Sequence, residues 1–102
     1  MIEIIRHRDY ATVKPGQDIV ASMVPELRKE LRSLLDEEPG GIIIDLAGVE
    51  MIDSVGLGSL IATHNSLGKV GGRLKVINAS SSLYGLFRTT RLDKHFDVKG
   101  SE

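Results

Sequence analysis

Apolar residues recur along this chain with two periods, and the points where the period changes divide it into elements. Ile2, Ile4 and Ile5 open a strand, His7-Arg8-Asp9 reads as a turn, and Tyr10 to Lys14 forms a second strand closed by Pro15-Gly16. So short a connection predicts an antiparallel pair. Pro followed by Gly suits the two central positions of a type II turn, where Gly takes the positive φ. The spacing then changes to three and four. Val20, Met23, Val24, Leu27, Leu31, Leu34 and Leu35 fall on one face of an amphipathic helix. Ser22 is its predicted N-cap, because Pro25 then lies in the first turn, where its missing N–H costs little. Asp36-Glu37-Glu38 puts like charge at the negative helix end, and the helix is expected to stop at Pro39.

Pro39-Gly40-Gly41 introduces Ile42 to Leu46, a short, mostly β-branched run of the kind a sheet covers on both faces. Helical spacing resumes after Ser54, with Leu57, Leu60, Ile61, His64, Leu67 and Val70 on the predicted stripe and Ser59, Asn65, Ser66 and Lys69 outside it. Gly71-Gly72 ends this helix, and Arg73 to Asn78 reads as the next strand. Strand, helix and strand over this length predict a right-handed crossover between parallel strands. A third helix begins near Ser80 to Ser82, turns Leu83, Leu86 and Phe87 inward and ends around Thr89, and Phe96 and Val98 extend a final edge strand. The predicted fold is a single α/β domain over residues 1–102. Its small mixed sheet combines an N-terminal antiparallel pair with a parallel core, and helices pack on it. The predicted interior comprises Ile4, Val13, Leu27, Leu31, Ile43, Leu46, Leu60, Ile61, Leu67, Leu74, Val76, Leu86 and Phe87.

Composition narrows the chemistry. The 102 residues include no cysteine, which excludes thiolate catalysis and Cys-based zinc sites. The charges in Met1 to Arg6 come too early for a secretory leader, and no apolar run approaches the length that spans a bilayer, so a cytoplasmic protein without membrane insertion is expected. A formal net charge of -1 gives no reason to expect a nucleic-acid partner. The distribution is uneven, because no Lys or Arg lies between Arg32 and Lys69, whereas Asp36, Glu37, Glu38, Asp45, Glu50 and Asp53 do. The central turn is therefore locally acidic, and the nearby sequence offers no cation to a phosphate at Ser54.

The turn before the central helix carries Asp53-Ser54. Either residue suits an N-cap, and the other is then left at the surface beside Gly56 and Gly58, where a partner could touch the backbone. Gly56-Leu57-Gly58 is not a dinucleotide loop, since Ile61 stands at the third glycine position and the glycines come nine residues after Ala47 instead of directly after the strand. Gly68-Lys69 is not a P-loop, with Thr63 and Val70 at its defining positions. Adjacent Asp53 and Ser54 cannot form a relay with His7, His64 or His95. His64, on the apolar stripe, reads as a half-buried structural residue, and three scattered histidines make no metal site. No cofactor and no catalytic activity are expected.

The run Ile43-Ile44-Asp45-Leu46-Ala47-Gly48-Val49-Glu50-Met51-Ile52-Asp53-Ser54-Val55-Gly56-Leu57-Gly58 resembles the signature of STAS domains, the family of bacterial anti-sigma factor antagonists. The resemblance extends to Gly16 to Ile19, to Gly71-Gly72-Arg73-Leu74 and to Leu86 through Phe96. It implies that Ser54 is the residue phosphorylated by an anti-sigma factor that is itself a serine kinase. It further implies that the unphosphorylated protein binds that factor and frees a sigma factor, and that a metal-dependent serine phosphatase resets the switch. Asp53, Ser54, Val55, Gly56, Leu57 and Gly58 are the implied partner-binding positions. Val55 replaces the second Ser of many relatives, and the sequence after Val98 is too short for the extra C-terminal helix that many carry. Other members of the family act as interaction modules in lipid-transport complexes or signalling assemblies, without a phosphoacceptor role.

Overall fold

The computed structural model describes residues 2–101. In chain order these form β1 (Glu3–Arg6), β2 (Tyr10–Lys14), α1 (Val24–Leu35), β3 (Gly41–Asp45), α2 (Ser54–Lys69), β4 (Arg73–Ala79), α3 (Ser81–Thr89), a short 3-10 turn (Leu92–Lys94) and β5 (Asp97–Gly100). The five strands lie in one sheet in sequence order. β1 and β2 are antiparallel, with Ile4 opposite Val13, and every later pairing is parallel. After β2, Gly16 takes the expected positive φ, at 67.

Each of α1, α2 and α3 joins neighbouring parallel strands, and right-handed crossovers running in one direction lay all three on the same face of the sheet. Burial follows that asymmetry. The rows Ala11–Ile42–Leu74 and Val13–Ile44–Val76 are buried and meet Leu27, Leu31, Leu34, Leu60, Leu67, Leu83 and Phe87 in one core. The intervening row, Thr12–Ile43–Lys75, is only half-buried. The central strand is thus covered on one face, not on both, and Ile43 leaves the predicted interior; Ile4 and Leu86 are half-buried as well.

Two helices differ in register from the sequence reading. α1 has Met23 at its N-cap position with no side-chain cap, because residues 20–23 already turn through Met23 N–H to Val20 C=O (2.9 Å) and Val24 N–H to the same oxygen (3.1 Å). Ser22 is exposed on that turn and caps nothing. α1 also stops at Leu35, before Pro39, in tighter turns that lead to Glu38 at φ 49. α2 buries Gly56, Ser59, Leu60, Thr63 and Leu67, whereas Ile61 (38% exposed) and Val70 face outward. The hydroxyls of Ser59 and Thr63 are spent on the helix's own carbonyls, Gly56 C=O at 2.7 Å and Ser59 C=O at 2.8 Å, so these small polar residues enter the core without an unpaired group. They let α2 sit close to its neighbours, which turns the stripe away from Ile61.

Candidate functional site

β3 delivers the chain to the site through a fixed exit. The Asp45 carboxylate accepts from Ala47 N–H (3.0 Å) and from Asn78 Nδ2 (2.9 Å), and Leu46 N–H bonds to Ile77 C=O (2.9 Å). Gly48, at φ 81, turns the chain, and buried Val49 and Ile52 pin the following loop to the core. A second segment then clamps this loop. Ile19 and Ile52 form an isolated parallel bridge, and the Asp18 carboxylate accepts from Glu50 N–H (2.9 Å) and Met51 N–H (3.1 Å).

Asp53 completes the clamp and starts α2. One carboxylate oxygen caps the helix by accepting from Gly56 N–H at 2.8 Å, and the other accepts from Ala21 N–H at 2.9 Å. The Gly56 bond and then the Ala21 bond lower the Asp53 pKa below the usual 3.8; desolvation opposes them less strongly, and a bond from Val55, weaker still, adds to the lowering. With Asp53 as the cap, Ser54 is the first helical residue. It is exposed, and among the described residues its side chain makes no hydrogen bond. Of the six positions singled out in the sequence, Ser54, Val55 and Gly58 reach the surface. Leu57 is half-buried, Asp53 faces the clamp, and Gly56 lies under Ile19, where a Cβ would stand 2.3 Å from the Ile19 carbonyl oxygen. A Cβ on Gly58 would meet nothing within 4 Å. Met51 (53% exposed), Val55 (47%) and Ile61 are large apolar side chains exposed before, beside and two helical turns after Ser54.

Asp18 and α1 were invisible as site elements because they lie far from Ser54 in sequence. A groove of about 410 Å³ runs beside Val55, lined by Ala21, Val24, Pro25, Arg28, Lys29, Arg32 and Val55. Three basic residues of α1 thus share a groove with Val55, the neighbour of Ser54, although none is close to it in sequence. The signal was present in the run of exposed basic residues at Arg28, Lys29 and Arg32, but nothing in the sequence indicated which surface they border. His64, as expected, is half-buried, with its ring centroid 5.5 Å from that of Phe96 and 6.3 Å from that of His95.

A mixed five-stranded sheet with its helices on one face, and a helix opening at an Asp-capped, exposed serine, define a small α/β domain built around one surface turn. The chain belongs to the STAS domain family, whose model matches residues 1–102. It is 33% identical over 91 residues to the anti-sigma-B factor antagonist of Staphylococcus epidermidis, covering 89% of this chain and 84% of that one. The anti-sigma-B factor antagonist of Bacillus subtilis is 31% identical over 97 residues, covering 95% and 88%. Among solved structures, an anti-sigma factor antagonist from Mycobacterium paratuberculosis superposes with a TM-score of 0.86 at 28% identity, covering 97% of this chain and 84% of that one.

Proposed function

We propose that this chain is an anti-sigma factor antagonist of the cytoplasm, switched by phosphorylation of Ser54. Unphosphorylated, it binds an anti-sigma factor with serine kinase activity, through Ser54, Val55 and Gly58 together with Met51 and Ile61, and so releases a sigma factor. Asp53, Gly56 and Leu57 hold that face in position. A metal-dependent serine phosphatase restores the binding form. The observation that carries this reading is the separation of duties at the turn: Asp53 makes the cap, so Ser54 is exposed and spare. Both oxygens of Asp53 are taken by backbone N–H groups, so Asp53 is held as a cap and clamp and not as a base for Ser54, and in this reading the chain works by binding, not catalysis.

A phosphate would add about -1.5 to -2 charge at pH 7. On the isolated domain it stands at a helix N-terminus, where the dipole favours an anion; at a buried contact it would have to be desolvated beside Asp53. Intact-mass analysis of protein purified from its own cells should find a phosphorylated fraction that Ser54→Ala abolishes. Because Ser54 is not the cap, Ser54→Ala should leave stability within about 0.5 kcal/mol of wild type. In calorimetric titration against the kinase, Ser54→Ala should bind constitutively and a folded Ser54→Asp weakly. Equal affinity of Ser54→Asp and wild type would reject the switch and leave an interaction module without phosphorylation.

A further inference from the structure

The groove between α1 and the start of α2 has an unusual lining. Arg28, Lys29 and Arg32 supply three positive charges, Ala21, Val24, Pro25 and Val55 supply the apolar remainder, and no acidic residue takes part. The three cations are exposed, and among the described residues none is in a salt bridge; the ion pair present joins Arg6 to Glu37 elsewhere. The positive charge is therefore not consumed by the fold. Pro25, Arg28, Lys29 and Arg32 follow helical spacing on the exposed face of α1, beside the stripe of Val24, Leu27, Leu31 and Leu34, which is buried and of which Val24 reaches the groove. Val55 both lines the groove and is the exposed apolar neighbour of Ser54, so it joins the two.

We propose that this groove receives an acidic, partly apolar segment of the kinase that acts on Ser54, an inference that rests on the function proposed above. An apolar floor with a cationic wall fits a peptide segment carrying carboxylates on one side and aliphatic groups on the other. An anionic membrane is the weaker fit, because three charges in a concave groove of a chain with net charge -1 give little attraction to a flat surface. The groove also explains how the switch reaches beyond its own residue. A dianionic phosphate on Ser54 is attached to the residue next to Val55, which lines the groove, and charges at a surface act on one another over a Debye length of roughly 8 Å at physiological salt. The phosphate lowers the potential of the groove's cations and so loosens the segment while leaving the domain intact.

The test uses full-length chain and the kinase isolated from the native cells by its ATP-dependent phosphorylation of Ser54. Replacing Arg28, Lys29 and Arg32 by Gln keeps good helix formers on an exposed face, and circular dichroism and thermal melting check the fold. The triple variant should bind the kinase about tenfold more weakly, raise its KM without changing kcat, and flatten the loss of affinity with rising ionic strength. A control with Arg88, Lys94 and Lys99 changed to Gln should match wild type. Unchanged affinity and salt dependence in a folded triple variant that is still phosphorylated would overturn the groove proposal alone. If no kinase modifies Ser54, the functional reading and this inference fall together. Co-sedimentation with phosphatidylserine vesicles that depends on the same three cations, with kinase affinity unaffected, would assign the groove to a membrane and likewise overturn it.

Discussion

Gly56 and Gly58 stand two positions apart on α2, and their surroundings ask for opposite outcomes when each becomes alanine. At Gly56 the new Cβ would lie 2.3 Å from the Ile19 carbonyl oxygen and 2.9 Å from Ile52 Cγ2. The first neighbour is backbone tied into the clamp and cannot give way, so Gly56→Ala should destabilise by about 1–3 kcal/mol or more. Gly58 has open space and an ordinary helical conformation, so Gly58→Ala should stabilise by about 0.5–1 kcal/mol through helix propensity. Urea denaturation of the two variants checks both signs. A stabilised Gly58→Ala that binds the kinase poorly would show that the glycine serves the partner's approach. Asp53 adds a pH signature. Its folded pKa lies below the usual 3.8, so its contribution is complete above that value and is lost as pH falls through the lower folded one. Asp53→Asn keeps an oxygen for Gly56 but loses the second acceptor for Ala21. It should melt below wild type at neutral pH, with the difference closing as the pH drops through this window. Parallel melting curves at all pH values would remove Asp53 from the clamp.

At the scale of elements, the reliable signals in the sequence were those of long apolar periodicity and of glycine punctuation. All five strands and three helices lie where these signals placed them, to within a few residues. What escaped was register wherever small or polar residues do the packing. Ser59 read as surface because a hydroxyl looks hydrophilic until its bond to the helix's own backbone is known, and Ile61 read as core for the complementary reason. Ser22 illustrates the same limit at a helix start, since capping chemistry was present but Val20 C=O already held the turn. Ser80 is the contrasting case, accepting from Leu83 N–H at 3.2 Å as the cap of α3. Ser80→Ala should therefore cost about 0.5–2 kcal/mol, while Ser22→Ala stays within about 0.5 kcal/mol. Comparable losses at the two positions in chemical denaturation would mean that α1 is capped in a way its backbone does not show. At the site, the sequence singled out Asp53-Ser54 as adjacent residues, but the clamp from Asp18 and the basic wall from α1 are products of tertiary packing. No local pattern announces that Ala21 will bond to Asp53 across 32 positions.

Across the whole molecule, the three helices are on one side of the sheet, and that asymmetry organises both stability and function. The helices bury Ile44 completely between Val13 and Val76, whereas Ile43, one residue earlier on the same strand, points to the other face and is only half-buried. The run Ile42-Ile43-Ile44 looked like a strand enclosed on both faces because three β-branched residues in succession carry no alternation. The distinction lies in their partners: Ile42 and Ile44 meet Leu74 and Val76 across β4, while Ile43 meets Lys75. The exit of this strand leads to Ser54, so the rigid core ends directly beneath a turn that is clamped by Asp18 and Asp53. A charge added at that surface can alter docking without entering the core. The energetic counterpart is measurable. Ile44→Ala should cost about 2–5 kcal/mol, the loss of transfer energy plus the cavity left in a packed interior. Ile43→Ala leaves no closed cavity, because solvent reaches its side of the sheet, and should cost less than half as much. Equilibrium urea melts of both variants, with matching m-values to confirm that the unfolding transition is unchanged, measure the ratio. Equal losses would mean that the second face of the sheet is covered after all, and the one-sided architecture would have to be given up.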